Sequence, residues 1–184
     1  MNNVIFIRTE RGKQALQFIR EVIKRGNLNT DDENYLNPLI GAFILKGLDI
    51  LEKTEVFPYP ATDDTVPWEE QDRTLLILEN GDELEQSLVK LLAVYPIYEF
   101  RIDVNRKEYF RAIFFPFVYE GENYYCFTHA FIKVTGDYGS DKTDLYRDTA
   151  KAIYENFRRT PRMFKTQLFL VIAWYLYVEK CVGK

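Results

Sequence analysis

The stretch from Ile97 to Val134 does most to limit what this chain can fold into. Tyr98, Phe100, Ile102 and Val104 fall on one side of an extended backbone, and Ile97, Glu99, Arg101 and Asp103 on the other. That alternation is the signature of a half-buried strand with one polar face. Asn105-Arg106-Lys107-Glu108 then turns the chain into a second extended run, Tyr109 to Phe117. Glu120-Gly121-Glu122-Asn123 turns it again into a third, Tyr124 to Val134. Three strands joined by two short turns make an antiparallel meander. Each strand carries a cation: Arg101, Arg111 and Lys133. Such residues sit easily on loops, so three on successive aromatic-rich strands point to one sheet face that needs positive charge.

The flanking segments supply the partners of this sheet. Val4 to Ile7 suits a first strand. From Gly12 to Arg25, Ala15, Phe18, Ile19, Val22 and Ile23 recur at helical spacing, and Gly26-Asn27 ends the helix. Tyr35 to Lys53 is a second helix with a broad apolar face, and Pro38 is tolerated in its first turn. Two closely linked helices after a strand suggest a helical pair laid on a sheet. Phe57 to Gln71 is loop-like, broken by Pro58, Pro60 and Pro67. Leu75 to Leu78 suits a brief strand with Asn80-Gly81 as its turn, and Leu84 to Leu92 fits either a helical turn or an extended lead-in. After the meander, Ser140 or Asp141 can cap a helix over about Thr143 to Arg159. Thr160-Pro161 closes it, and an apolar helix is expected from about Met163 to Cys181. The expected fold is α+β, in one domain over residues 1–184. An N-terminal strand and two helices pack on an antiparallel meander followed by C-terminal helices. The acidic, loop-rich segment at about 54–81 and the apolar helix at about 163–181 look like additions.

Charge and residue inventory narrow the chemistry. The net charge is -4, but residues 49–85 hold 12 Asp or Glu against 2 Lys or Arg, whereas residues 98–184 hold 14 Lys or Arg against 11 Asp or Glu. The local field, rather than the total, decides whether a phosphate can approach. His129 is the single histidine, and the two cysteines, Cys126 and Cys181, lack metal-type spacing. A multi-histidine zinc site is therefore excluded, and no metal or other cofactor is expected. There is no Gly-x-Ser-x-Gly turn and no phosphate-cradling glycine loop. The longest apolar run, Leu168 to Val178, is 11 residues, well short of the roughly 20 that span a membrane. It suits core first and a homodimer contact second. The start, Met1 to Val4, has no basic region followed by an apolar run, so a cytoplasmic, reducing setting without membrane attachment is expected.

What remains is the cationic and aromatic set on the sheet. Scission of RNA by its own 2′-hydroxyl needs that hydroxyl in line with phosphorus, a proton acceptor, positive charge on the equatorial oxygens and a proton for the leaving 5′-oxygen. Arginine and lysine supply charge. Tyrosine, lysine, histidine or a carboxylate moves protons, and aromatic rings stack on splayed bases.

The order strand, two helices, three-stranded meander, helix resembles the RelE/HigB superfamily of toxin–antitoxin toxins, particularly its phage-derived, Gp49-like branch. Leu88-Val89-Lys90-Leu91-Leu92 followed by Pro96-Ile97-Tyr98-Glu99-Phe100-Arg101 is similar to the family's lysine-leucine then tyrosine-glutamate-leucine-arginine pattern. Tyr109-Phe110-Arg111-Ala112-Ile113-Phe114-Phe115 resembles its arginine followed by an apolar strand. Phe127-Thr128-His129-Ala130-Phe131-Ile132-Lys133 resembles its leucine-histidine-x-phenylalanine-x-lysine strand. The resemblance covers most of residues 4–159. It departs where Val134 replaces a second lysine, in the acidic total, and in the two added segments. It implies an mRNA endonuclease, ribosome-dependent or free, that is metal-independent and neutralised by a cognate antitoxin. Arg101, Arg111 and Lys133 would orient phosphate, with His129 and Tyr146 in proton transfer or stacking. Arg106, Lys107, Arg147 and Tyr154 would bind RNA. The contrasting expectation is a non-catalytic phage or mobile-element protein that keeps the fold.

Each residue also has a plainer role open to it. Arg101 suits a structural ion pair as well as a phosphate. Arg111, amid Phe and Ile, must find a partner or reach water. Lys133 at a strand end can simply be solvated. His129 fits a satisfied core position, and Tyr146 and Tyr154 have the spacing of helix residues packed on a sheet.

Overall fold

The computed structural model describes residues 2–9, 14–26, 38–53, 73–104, 108–134 and 142–168. Arg106 and Lys107, the loop-like stretch 54–72 and most of the apolar run proposed for a homodimer contact lie outside them. The elements in order are β1 (Asn3–Phe6), α1 (Gln14–Gly26), α2 (Pro38–Lys53), β2 (Arg73–Ile77), β3 (Glu83–Ser87), β4 (Val89–Leu91), β5 (Tyr98–Ile102), β6 (Glu108–Tyr119), β7 (Glu122–Val134) and α3 (Lys142–Arg159). A further helical stretch occupies residues 161–168. The fold is mixed α+β. Its five-stranded sheet has the order β1-β7-β6-β5-β4, antiparallel except where β1 lies parallel to β7.

The meander forms as its alternation requires. Tyr98, Phe100 and Ile102 of β5, Phe110, Ala112 and Phe114 of β6, and Tyr125, Phe127 and Ala130 of β7 pack with α1 and α2. Ile97, Ile113, Phe115, Phe117, Cys126 and Phe131 face the other way, against Ala150 and Phe157 of α3 and Phe164 beyond it. The sheet is thus covered on both sides. The turn from β6 to β7 is tighter than the expected four residues. Glu120 and Gly121 both have positive φ, 50° and 83°, as a two-residue hairpin loop demands.

Three features were not apparent in the sequence. The stretch around Leu84–Leu92 is extended, forming β3 and β4, and β3 closes an antiparallel hairpin with β2 through the Asn80-Gly81 turn. The tail of the expected acidic insertion is therefore ordered strand. The N-terminal strand closes the far edge of the sheet, with Ile7 N–H donating to the Phe127 carbonyl at 2.8 Å. Finally, β7 carries a bulge: Phe114 pairs with Phe127 but Ile113 pairs with His129, leaving Thr128 as the extra residue. The Thr128 hydroxyl donates to the Ile113 carbonyl at 3.2 Å.

Past the end of β1 the β7 edge still needs partners. Gln14 at the start of α1 provides them, donating to the Ala130 carbonyl at 2.9 Å and accepting from its N–H at 2.8 Å. On the opposite side of the helical pair, Gly47 of α2 sits against the sheet. A Cβ built there would lie 2.7 Å from Cζ of Phe100, whose ring is fully buried between Phe110 and Phe127. Overpacking a filled core costs about 1–3 kcal/mol, more than a β-branched residue regains in helix propensity over glycine. Gly47→Val should therefore lower the urea midpoint without changing the denaturant slope, measured by equilibrium unfolding.

Candidate functional site

The register of the meander decides which candidates meet. Arg101 of β5 stands directly opposite Arg111 of β6, and Arg111 stands opposite Phe131 of β7. One row along, Tyr109 pairs with Lys133. One row the other way, Glu99 pairs with Ile113 and Ile113 with His129. All of these residues lie on the α3 side of the sheet, because their strand neighbours Phe100, Ile102, Phe110, Ala112, Ala130 and Ile132 pack on α1 and α2. Arg101, Arg111, His129 and Lys133 therefore share one face.

The two arginines are compensated within that face. Arg111 is only 5% exposed. Its Nε lies 3.4 Å from Oε2 of Glu99, its Nη2 lies 3.2 Å from Oδ2 of Asp103, and its Nη1 bonds both Asp103 Oδ1 and the Phe110 carbonyl. The Tyr109 ring lies beneath the guanidinium, 5.3 Å from its centroid. Arg101 is half-buried and uses the same carboxylates, with Nη2 at 3.5 Å from Asp103 and Nε at 3.9 Å from Glu99. The structural ion pair open to Arg101 is thus formed, and the partner that Arg111 needed is found twice. Lys133 is exposed at the rim, and so is Lys90, directly opposite Glu99 on β4.

Burial raises the Glu99 carboxyl above the usual glutamate range. The positive charges of Arg111, Arg101, Lys90 and Lys133 pull it back down, but desolvation is the larger effect. Glu99 is a carboxylate in an electropositive, water-poor setting, the kind of group that can accept or return a proton. Neither it nor Asp103 stood out as a site residue in the sequence, though both were legible on the polar face of β5 at two-residue spacing from Arg101. Gln86 of β3 holds this segment in place, donating to the Arg101 carbonyl at 3.0 Å and accepting from the Asp103 N–H at 2.9 Å. The β2–β3 hairpin therefore braces the site from the side.

Helix α3 closes the other end. Tyr146 stacks on His129 with ring centroids 4.3 Å apart and planes within 9°, and it also contacts Phe131. His129 is 8% exposed, so it serves as a packing residue beside the ion network. Tyr154 packs edge-on against Phe115 and Phe117, with Lys151 and Arg158 over its ring. Arg147 is held by Asp144 and Asp148 of its own helix. The result is a graded surface: a buried Glu99–Arg111 centre, a half-open Arg101–Asp103 pair, and Lys133 and Lys90 in solvent.

Comparison with protein-family models, curated proteins and solved structures returns no match. Among the described residues no helix is long and apolar enough to cross a membrane.

The network sets two expectations for variants. Arg111→Ala removes the closest counter-ion of Glu99 and Asp103 and leaves them only the longer contacts to Arg101. Breaking a buried pair costs up to about 3–5 kcal/mol, and thermal unfolding should show a clear drop. Glu99→Gln tests the raised pKa through its pH dependence. In the wild type the stability linked to Glu99 is fully present below about pH 4.3, the ordinary glutamate value, and is lost as pH rises through the higher folded value. Urea titrations across that range should show wild-type stability falling with pH relative to Glu99→Gln. Parallel curves would remove the assigned shift.

Proposed function

We propose that this chain is an RNA-cleaving toxin of the RelE/HigB kind, acting on mRNA by metal-independent attack of the 2′-hydroxyl. The observation that carries the reading is the single sheet face on which three strands place Arg101, Arg111, His129 and Lys133 in neighbouring rows. The element order of strand, two helices, meander and helix supports it as well.

The geometry divides the labour differently from a set of three equivalent phosphate ligands. Lys133, in solvent, and Arg101, half-buried, meet the phosphate. Arg111 lies behind them and holds the Glu99 and Asp103 carboxyl groups in place, so that its effect on the phosphate is electrostatic. Glu99, with its raised pKa, is the candidate for taking the 2′-hydroxyl proton and, once protonated, for returning a proton through water to the leaving 5′-oxygen. Tyr146 orients His129 by stacking. A cognate antitoxin would neutralise the protein, most simply by covering the Lys133 rim with its own acidic side chains. Ribosome dependence and a homodimer through the C-terminal apolar helix belong to the same proposal.

One observation favours a second reading, a non-catalytic binding protein on the same fold. Both arginines already have carboxylate partners, so a phosphate must compete with Asp103 to engage Arg101.

The two readings separate in one experiment. Arg101→Ala/Lys133→Ala removes the half-buried Arg101 and the exposed Lys133 while leaving the buried Arg111–Glu99 pair in place. With EDTA present, the wild type should cleave mRNA, alone or in a translating extract, and induced expression should arrest growth. The double variant, folded as judged by circular dichroism, should lose more than about tenfold in cleavage rate, a modest loss for electrostatic groups at a reacting phosphate. Strict dependence on added metal would overturn the mechanism. Absence of both cleavage and arrest from the folded wild type would favour the binding module.

A further inference from the structure

One flank of α3, beside the sheet, and the elbow after it carry a charge pattern that the sheet site does not use. Residues 142–168 hold seven Lys or Arg against three Asp or Glu, in a chain whose net charge is -4. The acids, Asp144, Asp148 and Glu155, all lie in the first two thirds of that span, where they pair with Arg147, Lys151 and Arg159. From 156 to 168 there are four cations and no acid. Arg158, Arg159, Arg162 and Lys165 are exposed, and among the described residues Arg158, Arg162 and Lys165 make no ion pair.

The elbow has fixed geometry. Thr160 N–H donates to the Asn156 carbonyl at 2.8 Å, Met163 N–H donates to the Thr160 carbonyl at 2.9 Å, and Phe164 packs on Phe157 and Phe117. On α3, Arg147, Lys151, Tyr154 and Arg158 fall at successive steps of four, three and four residues, one stripe of a helix running roughly 16 Å. Lys151 and Arg158 both sit over the Tyr154 ring, at 5.5 and 5.9 Å. Lys151 also donates to the Tyr95 carbonyl at 2.8 Å. This places Tyr95, 58% exposed, on the loop beside the stripe. The stripe starts one residue from Tyr146, which stacks on His129, so it leads away from the sheet site.

We infer that this stripe and elbow form a track for the backbone of single-stranded RNA, with Tyr95 as a stacking platform for a base. The inference rests on the RNA-directed reading above and extends it to the path of the substrate beyond the sheet site. Sites for single strands combine a cationic path with aromatic faces and need no base-edge contacts. A protein-binding surface is depleted of charge at its centre and built on apolar anchors, whereas charge dominates here. The track is therefore sequence-tolerant and strongly salt-dependent.

The test is equilibrium binding of the full chain to a fluorescent oligonucleotide, 2′-O-methylated throughout so that attack by the 2′-hydroxyl cannot occur. Arg158→Gln/Arg162→Gln/Lys165→Gln, with wild-type melting temperature, should weaken binding by more than about tenfold. It should also flatten the plot of log affinity against log salt by about 0.7 for each phosphate that is no longer neutralised. Tyr95→Ala should weaken binding about fivefold, the low end for one stacked base, with the salt slope unchanged. Wild-type affinity and slope in the triple variant would overturn the track. Displacement of the oligonucleotide by an equally long glutamate-rich peptide, with Tyr95→Ala altering neither ligand, would overturn it in favour of an acidic protein partner. Track-dependent binding by a protein that cleaves no RNA would support the track while removing the nuclease reading.

Discussion

Two arginines facing each other across adjacent strands are an arrangement that a sheet cannot tolerate uncompensated. Arg101 and Arg111 occupy such positions, and like charges directly opposite destabilise a pair of strands. The repulsion is relieved by two carboxylates from the same strand as Arg101, Glu99 and Asp103, which bracket it at two-residue spacing. Much else follows from this local solution. The bidentate grip of Arg111 on Asp103 requires the end of β5 to stay in register, and Gln86 reaches across from the hairpin to pin its backbone. Cover over the Glu99–His129 row is supplied by Tyr146 of α3. The ion network lies within the meander, while Gln86 from the hairpin and Tyr146 from α3 hold the segments on either side of it.

The two sides of the sheet consequently do different work. The side toward α1 and α2 is an aromatic core, with Phe100, Phe110, Phe114 and Phe127 in mutual ring contact, and it carries stability. The α3 side is apolar only toward the β6–β7 hairpin, where Phe117, Phe157 and Phe164 meet. At its other end it gives way to charge. A site placed there rests on a rigid scaffold without being built into the main core, so its exposed members tolerate change far better than Arg111 does.

The sequence was most informative where the signal is local. The period-two alternation from Ile97, the helical spacing in α1 and α2 and the Asn80-Gly81 turn all report on contacts within a few residues, and each element appears where they place it. The polar face of β5 was legible too, including Glu99 and Asp103. In the sequence Arg101 is open to an ion pair as well as a phosphate and Arg111 must find a partner, and Glu99 and Asp103 supply both. Pairing between distant segments left no such trace. Nothing around Asn3–Phe6 says that it runs parallel to β7, because that partner lies far along the chain. Leu84 to Leu92 fits a helical turn or an extended lead-in alike, and the pairing of β3 with its neighbour β2 across the Asn80-Gly81 turn decides for strand. Arg106, Lys107 and residues 169–181 lie outside the described structure.

The bulge at Thr128 has a consequence for how chains of this kind can be compared. Cys126 and His129 point to the same side of the sheet although they stand three positions apart, an odd step, since Thr128 absorbs one step of the alternation. Straighten the bulge while keeping Thr128, and the motif from His129 to Lys133 would keep its letters and its spacing while turning its histidine and lysine into the α1–α2 core. Delete Thr128 instead, and regular alternation from Phe127 leaves both on the α3 side. Two sequences can thus share the motif and differ in handedness toward the sheet. The even count from Phe127 to His129 would put both on one side of a regular strand, so the bulge, and not the count, decides which face the motif serves.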